Sequence, residues 1–192
     1  DIFGIDRSLN AIKNAKGSES SKIYYSIMDI ENVAFPENFF DLIISFETIE
    51  HLYDPMDFIN EAYRLLKPSC QLILTTPNKL VSSPTSGSLW PDHIQEFTPD
   101  ELKRLLQIRF MNVKILGERI PIFESHPVRK IVHKIAPYIK PLLPKFLRIN
   151  SLPFIQSIIK NRIGINEVYF SREGEQINHF PTLVAACKKN AN

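Results

Sequence analysis

Cysteine is nearly absent from the 192 residues: Cys70 and Cys187 are the only two. That excludes a disulfide-stapled scaffold, and the pair lacks the spacing of a metal-binding motif, so no metal ligand is assigned. Both lie in or beside apolar segments, as buried free thiols do, which suits a reducing compartment. Glycine is scarce too, with six in the chain and no cluster among them. No apolar run reaches the length of a membrane span, and no stretch reads as a signal peptide, so a cytoplasmic location is expected. Acidic residues are missing from Ser125 to Asn166, while eight basic residues stand there: Arg129, Lys130, Lys134, Lys140, Lys145, Arg148, Lys160 and Arg162. There is no internal repeat.

What remains is an ordinary globular composition, 44% hydrophobic and 23% charged, with a net charge of +2 that implies no particular partner. The length suits one domain, or one domain with an appendage. Strand-like and helix-like segments alternate. Ile2–Ile5 reads as a strand ending at Asp6, and Ser8 caps a helix over Leu9–Lys16. Ile23–Met28 is the next strand, ending at Asp29. Asp54-Pro55 opens a helix to Leu66 with Phe58, Ile59, Ala62, Leu65 and Leu66 on one face. Gln71–Thr76 is a strand stopped by Pro77. Residues 79–95 lack periodicity and read as a loop or lid. Thr98-Pro99-Asp100-Glu101 is a capping box, followed by strands at Val113–Leu116 and Thr182–Cys187. Such alternation predicts an α/β fold, doubly wound around a mostly parallel sheet.

The organising stretch is Phe40 to Leu52. Asp41–Phe46 is apolar enough for a strand covered on both faces. The chain then turns polar at Glu47, Thr48, Glu50 and His51. Ligands in open α/β sheets bind beyond the carboxyl ends of the strands. Asp6, Asp29 and Glu47 each close a strand at that edge. Taken singly, Asp6 is a helix N-terminal acid and Asp29 a surface turn residue. Three carboxylates gathered at one edge repel each other, and a ligand with hydroxyls, an amino group and a cationic centre gives them a reason to be there.

These features resemble the class I S-adenosylmethionine-dependent methyltransferases. Phe40-Asp41-Leu42-Ile43-Ile44 leading to Glu50-His51-Leu52 is similar to that family's central strand. Gly4-Ile5-Asp6-Arg7-Ser8 resembles its second strand, and Leu66-Lys67-Pro68 with Gln71–Asn78 its later helix and strand. His93, Phe97-Thr98 and Glu101-Leu102 resemble the small-molecule methyltransferases that include the ubiquinone-pathway enzymes. The likeness covers roughly residues 1 to 118. It implies a Rossmann-like methyltransferase sheet and S-adenosylmethionine as cofactor. Asp6 with Arg7 would hold the ribose, Asp29 and Ile30 the adenine, and Phe46 and Glu47 would line the pocket near the sulfonium. For a hydroxyl acceptor, His51 or His93 would serve as general base. The family's first strand and Gly-x-Gly-x-Gly loop have no counterpart here. The expectation is therefore an N-terminally truncated sheet, with strands 2–5 and 41–46 either held apart or closed on each other, and no cofactor binding by these residues alone.

Three regions are expected: a partial methyltransferase core over residues 1–120, a basic, proline-rich helical insertion over 121–170, and a last strand returning over 171–192. The acid-free segment 125–166 reads as a lid with a solvated basic face, or as a peripheral contact with anionic membrane. Methyl transfer to a small-molecule or lipid-linked acceptor, on oxygen, is the leading reading. The alternative is a non-catalytic binding module of the same fold acting through its basic segment. A nucleic-acid substrate is disfavoured, because Thr76-Pro77-Asn78 lacks the aromatic that such enzymes set beside a flipped base.

Overall fold

The computed structural model describes residues 1–16, 22–83, 91–119, 169–171 and 175–191. The acid-free segment 125–166, and residues 84–90 of the expected lid, lie outside the described residues. The elements run β1 (Ile2–Asp6), α1 (Leu9–Lys16), β2 (Ile23–Ile27), β3 (Phe40–Phe46), a 3-10 turn (Ile49–His51), α2 (Pro55–Leu65), β4 (Leu66–Pro77), α3 (Lys79–Ser82), α4 (Pro99–Gln107), β5 (Met111–Arg119), β6 (Tyr169–Phe170) and β7 (Thr182–Lys188).

The strands form two sheets. β1 and β2 pair in parallel, and a five-stranded sheet has the order β3-β4-β7-β5-β6. β3 and β4 are parallel, and β7 lies antiparallel between β4 and β5. β5 therefore runs with β3 and β4, while β7 and the two-residue β6 run against them, so the parallel pairs are β1-β2 and β3-β4. This is the Rossmann-like α/β architecture.

Local chemistry sets the elements. Asp54 accepts from the Met56 amide and Pro55 takes the first helical turn of α2. Thr98 and Glu101 close a reciprocal capping box on α4. Phe58, Ile59, Ala62 and Leu65 turn inward from α2, and Leu102 and Leu106 from α4. All but Leu65, which packs with Ile5 and Val33, meet Leu72, Leu74, Leu183 and Ala185 in the largest core cluster. Gly4 sits under the Tyr25 ring, where an added Cβ would come within 2.6 Å of a ring carbon.

Two expectations are corrected. β4 begins at Leu66, directly after α2, not at Gln71. The helix stops at Leu65, before Pro68, and the extended chain runs through Pro68 and Ser69, where Ser69 takes a positive φ of 63° and a bulge shifts the register between Phe40 and Leu42. Residues 79–82, read as loop, form α3, capped by the Asn78 side chain on the Leu80 amide. Asn78 is fully buried, and its Nδ2 also donates to the Phe180 carbonyl at 2.8 Å, so it latches the approach to β7.

β1 does not pair with β3. Between them lies a cavity of about 50 Å³, lined by apolar residues that include Phe3, Ile5, Phe40, Leu42 and Ile44. The smaller sheet is held to the larger by side chains. Phe3 meets Phe35 at 5.1 Å and Phe40 at 5.9 Å between ring centroids. Arg64 on α2 donates to the Val33 and Phe35 carbonyls and pairs with Glu61 at 2.6 Å, while Glu61 accepts from the Val33 amide.

Candidate active site

The carboxyl ends of β1, β2 and β3 gather on one side of the molecule. Phe3 early in β1 meets Phe40, which opens β3, and Ile5 shares an apolar cluster with Ile43. The two strands therefore run the same way. Glu31, in the turn after β2, reports on what surrounds that edge. Its carboxyl is raised, by burial first and then by Asp29 and Asp57, while Arg7 pulls the other way. Residues following β1, β2 and β3 thus share one electrostatic neighbourhood.

Each expected cofactor residue has a defined local setting. Asp6 closes β1 and accepts the Ser8 amide at 2.8 Å. Arg7 follows it, exposed. Asp29 lies two residues beyond the end of β2, not on it, and accepts the Glu31 amide at 3.1 Å. Ile30 packs on the main core and lines the cavity between the sheets. Phe46 is half-buried at the end of β3, and its carbonyl accepts from the Thr48 hydroxyl. Glu47 takes a left-handed backbone with φ 45°. A non-glycine residue held there stores strain of about 1–3 kcal/mol, as residues at functional sites often do. It is tied to β4: its amide donates to Thr75, whose hydroxyl donates back to Glu47 Oε1 at 2.9 Å.

A second group lies further along the same chain segment. Glu50 is fully buried, and its Oε2 accepts from the Thr76 hydroxyl at 3.1 Å. Its carbonyl accepts both the Ile94 and Gln95 amides, which seats the segment carrying His93 on the turn carrying His51. The two imidazoles meet edge to face with centroids 5.1 Å apart. His51 Nδ1 donates to the Asp92 carbonyl at 2.8 Å, and its Nε2 lies 3.7 Å from Glu50 Oε1. His93 Nδ1 bonds Glu96 Oε1 at 2.7 Å, with both side chains only 3% exposed. Ser82 and Ser83 each donate to Glu96 Oε2 at 2.6 Å.

His93 is therefore a packed member of a network and not a residue of an exposed lid. Glu96, at the centre of that network, escaped sequence reasoning. Only its spacing of three residues from His93 hinted at it. Glu118 escaped as well. Burial first, then the like charge of Glu47, pushes its carboxyl up to about 7. Neither the cavity between the sheets nor the cleft lined by Lys79, Gln95, Phe97 and Glu101 is lined by Asp6, Asp29 or Glu47. The polar edge and the apolar cavity between the sheets are thus separate features.

This set of side chains fits S-adenosylmethionine by its chemistry. Acids suit ribose hydroxyls, an adenine amino group and a sulfonium, and only Arg7 among the neighbours of Glu31 supplies positive charge.

Comparison with known proteins agrees. Residues 1–74 match the methyltransferase domain family model. A probable S-adenosylmethionine-dependent methyltransferase of Mycolicibacterium smegmatis is 32% identical over 80 residues, 41% of this chain and 31% of that protein. Norajmaline N-methyltransferase of Rauvolfia serpentina is 32% identical over 81 residues, 42% of this chain and 27% of that enzyme. The chain thus spans about a third of the length of these relatives. A crystal structure of an S-adenosylmethionine-dependent methyltransferase from Thermotoga maritima superposes with a TM-score of 0.61 at 17% identity, covering 98% of this chain and 72% of that one. Residues 1–74 thus resemble the methyltransferase domain family in sequence, and the chain shares the fold of S-adenosylmethionine-dependent methyltransferases.

Proposed function

We propose that the protein carrying this chain transfers the methyl group of S-adenosylmethionine to a hydroxyl of a small-molecule acceptor. What supports the reading is that Asp6, Asp29 and Glu47 follow or close β1, β2 and β3, with Glu50 and His51 just beyond and tied to His93 and Glu96 from a later part of the chain. Asp6 and Arg7 would hold the ribose end of the cofactor, Asp29 and Ile30 the adenine, and Phe46 and Glu47 the methionine end. The cofactor supplies a methyl group on a positively charged sulfur, already a good electrophile. The protein's task is then to position the acceptor, exclude water and take up the acceptor's proton. The His51–His93 pair is the candidate for that last step, either imidazole being a suitable base near neutral pH. The norajmaline enzyme's name supports a small organic acceptor in this family. A lipid-linked acceptor, met at a membrane through residues 125–166, is the narrower version of the same reading.

Incubation of the whole protein with labelled cofactor and a panel of candidate acceptors, read by mass spectrometry, tests it. A labelled methyl on oxygen, lost in His51→Ala, is expected. A methyl on nitrogen would move the target atom. Absence of both product and cofactor binding would leave the binding module as the function.

A further inference from the structure

We propose that Glu50, His51 and His93 bind one divalent transition-metal cation of the zinc type. The three residues each offer a ligand atom within 4.8 Å of the others. They come from two distant parts of the chain, which explains why no metal-ligand spacing is visible in the sequence.

The hydrogen bonds around the rings favour a cation. The Asp92 carbonyl can only accept, so His51 Nδ1 carries the hydrogen and Nε2 the lone pair. Glu96 accepts from two hydroxyls on one oxygen and faces His93 Nδ1 with the other, which makes the same assignment for His93. Histidines that bind metals are oriented in this way, through a carbonyl or carboxylate on the far nitrogen. Glu50 adds Oε1, its carboxylate being held by the Thr76 hydroxyl on the other oxygen, Oε2. A tetrahedral zinc with bonds of about 2.1 Å sets its ligand atoms roughly 3.4 Å apart. His51 Nε2 and Glu50 Oε1, at 3.7 Å, are within a few tenths of that spacing. Two nitrogens and one oxygen suit zinc, cobalt or nickel, and not magnesium or calcium, which take oxygen sets. Three protein ligands leave a fourth position for water or an acceptor oxygen. A cation there would ease loss of the acceptor's proton. That role rests on the methyl-transfer reading, and the existence of the site does not.

The test is titration of the metal-stripped whole protein with Zn²⁺ by calorimetry, and with Co²⁺ by visible absorption. The expected result is one zinc per chain, together with cobalt bands of four-coordinate intensity. His51→Ala and His93→Ala should each lower zinc affinity at least 100-fold. Glu96→Gln, which keeps the shape of the network, should lower it about 10- to 100-fold. Replacing the exposed His179 with Ala should change nothing. Circular dichroism of each variant separates lost ligands from lost fold. No saturable zinc binding by the folded protein, or undiminished affinity in His51→Ala and His93→Ala, overturns the site. Zinc bound without methyl transfer to any acceptor upholds the site and counts against the proposed reaction. Methyl transfer by a protein that binds no zinc does the reverse.

Discussion

The two sheets are built differently. The five-stranded sheet carries its core across its own ladders: Leu72, Leu74, Leu183 and Ala185 are at most 1% exposed, and helices α2 and α4 cover them. The two-stranded sheet has no fully buried residue in β2, and Tyr24 and Ile27 are exposed. It is attached by a cluster of phenylalanines and by the Arg64–Glu61 clamp. A two-stranded sheet is marginal in water on its own. The half of the molecule that offers Asp6 and Asp29 therefore depends on the other half for its position. The residues proposed to bind the cofactor, on a borrowed support, should loosen before the core does.

The contrast can be broken from its strong side. Phe58 is 2% exposed in the main core. Phe58→Ala should cost about 3–5 kcal/mol and melt both sheets together, as followed by denaturant unfolding. Separate transitions for the two sheets in that variant would mean that the smaller one stands alone.

It can be sharpened from the weak side. Arg64→Ala removes the clamp on Val33 and Phe35. Arg64 is 37% exposed, so solvent screening lowers the cost to about 1–2 kcal/mol. Hydrogen exchange should accelerate in β1 and β2 while β4 and β7 keep their protection. Uniform acceleration would contradict the division.

The smallest effect is in pH. Glu61 is held below its ordinary value of 4.5, first by its hydrogen bond to Arg64. Its stabilisation is present above pH 4.5 and is lost as pH falls through the folded value, so the clamp should fail in acid. Glu118 has the opposite sign. With its folded value raised to about 7, stability is lost as pH rises from about 4.5 to 7. Glu118→Gln should flatten that part of the stability curve, measured by thermal melts. An unchanged slope would show that Glu118 ionises normally.

Short-range signals were legible in the sequence: the Asp54 cap, the Thr98–Glu101 box, the apolar faces of α2 and α4, and the acids closing β1 and β3. Each is decided within a turn or two of chain. What was not legible depends on distant partners. The start of β4 was hidden because Pro68 reads as a stop, whereas pairing to β3 carries the chain through it. The reversed β7 between β4 and β5 leaves no local mark. His93 looked like a loop residue because Glu50, which seats its segment, lies far back in the chain. Glu118 is perturbed by enclosure and by Glu47, which follows β3 far back in the chain.

The central claim is that the acids at the sheet edge hold the cofactor. Calorimetric titration of S-adenosylmethionine into the whole protein and into its Asp6→Ala variant tests it directly. Loss of about 1.5–3 kcal/mol of binding free energy in the variant, the worth of hydrogen bonds to a charged group, is the predicted result. Equal affinity in a folded Asp6→Ala protein would contradict it.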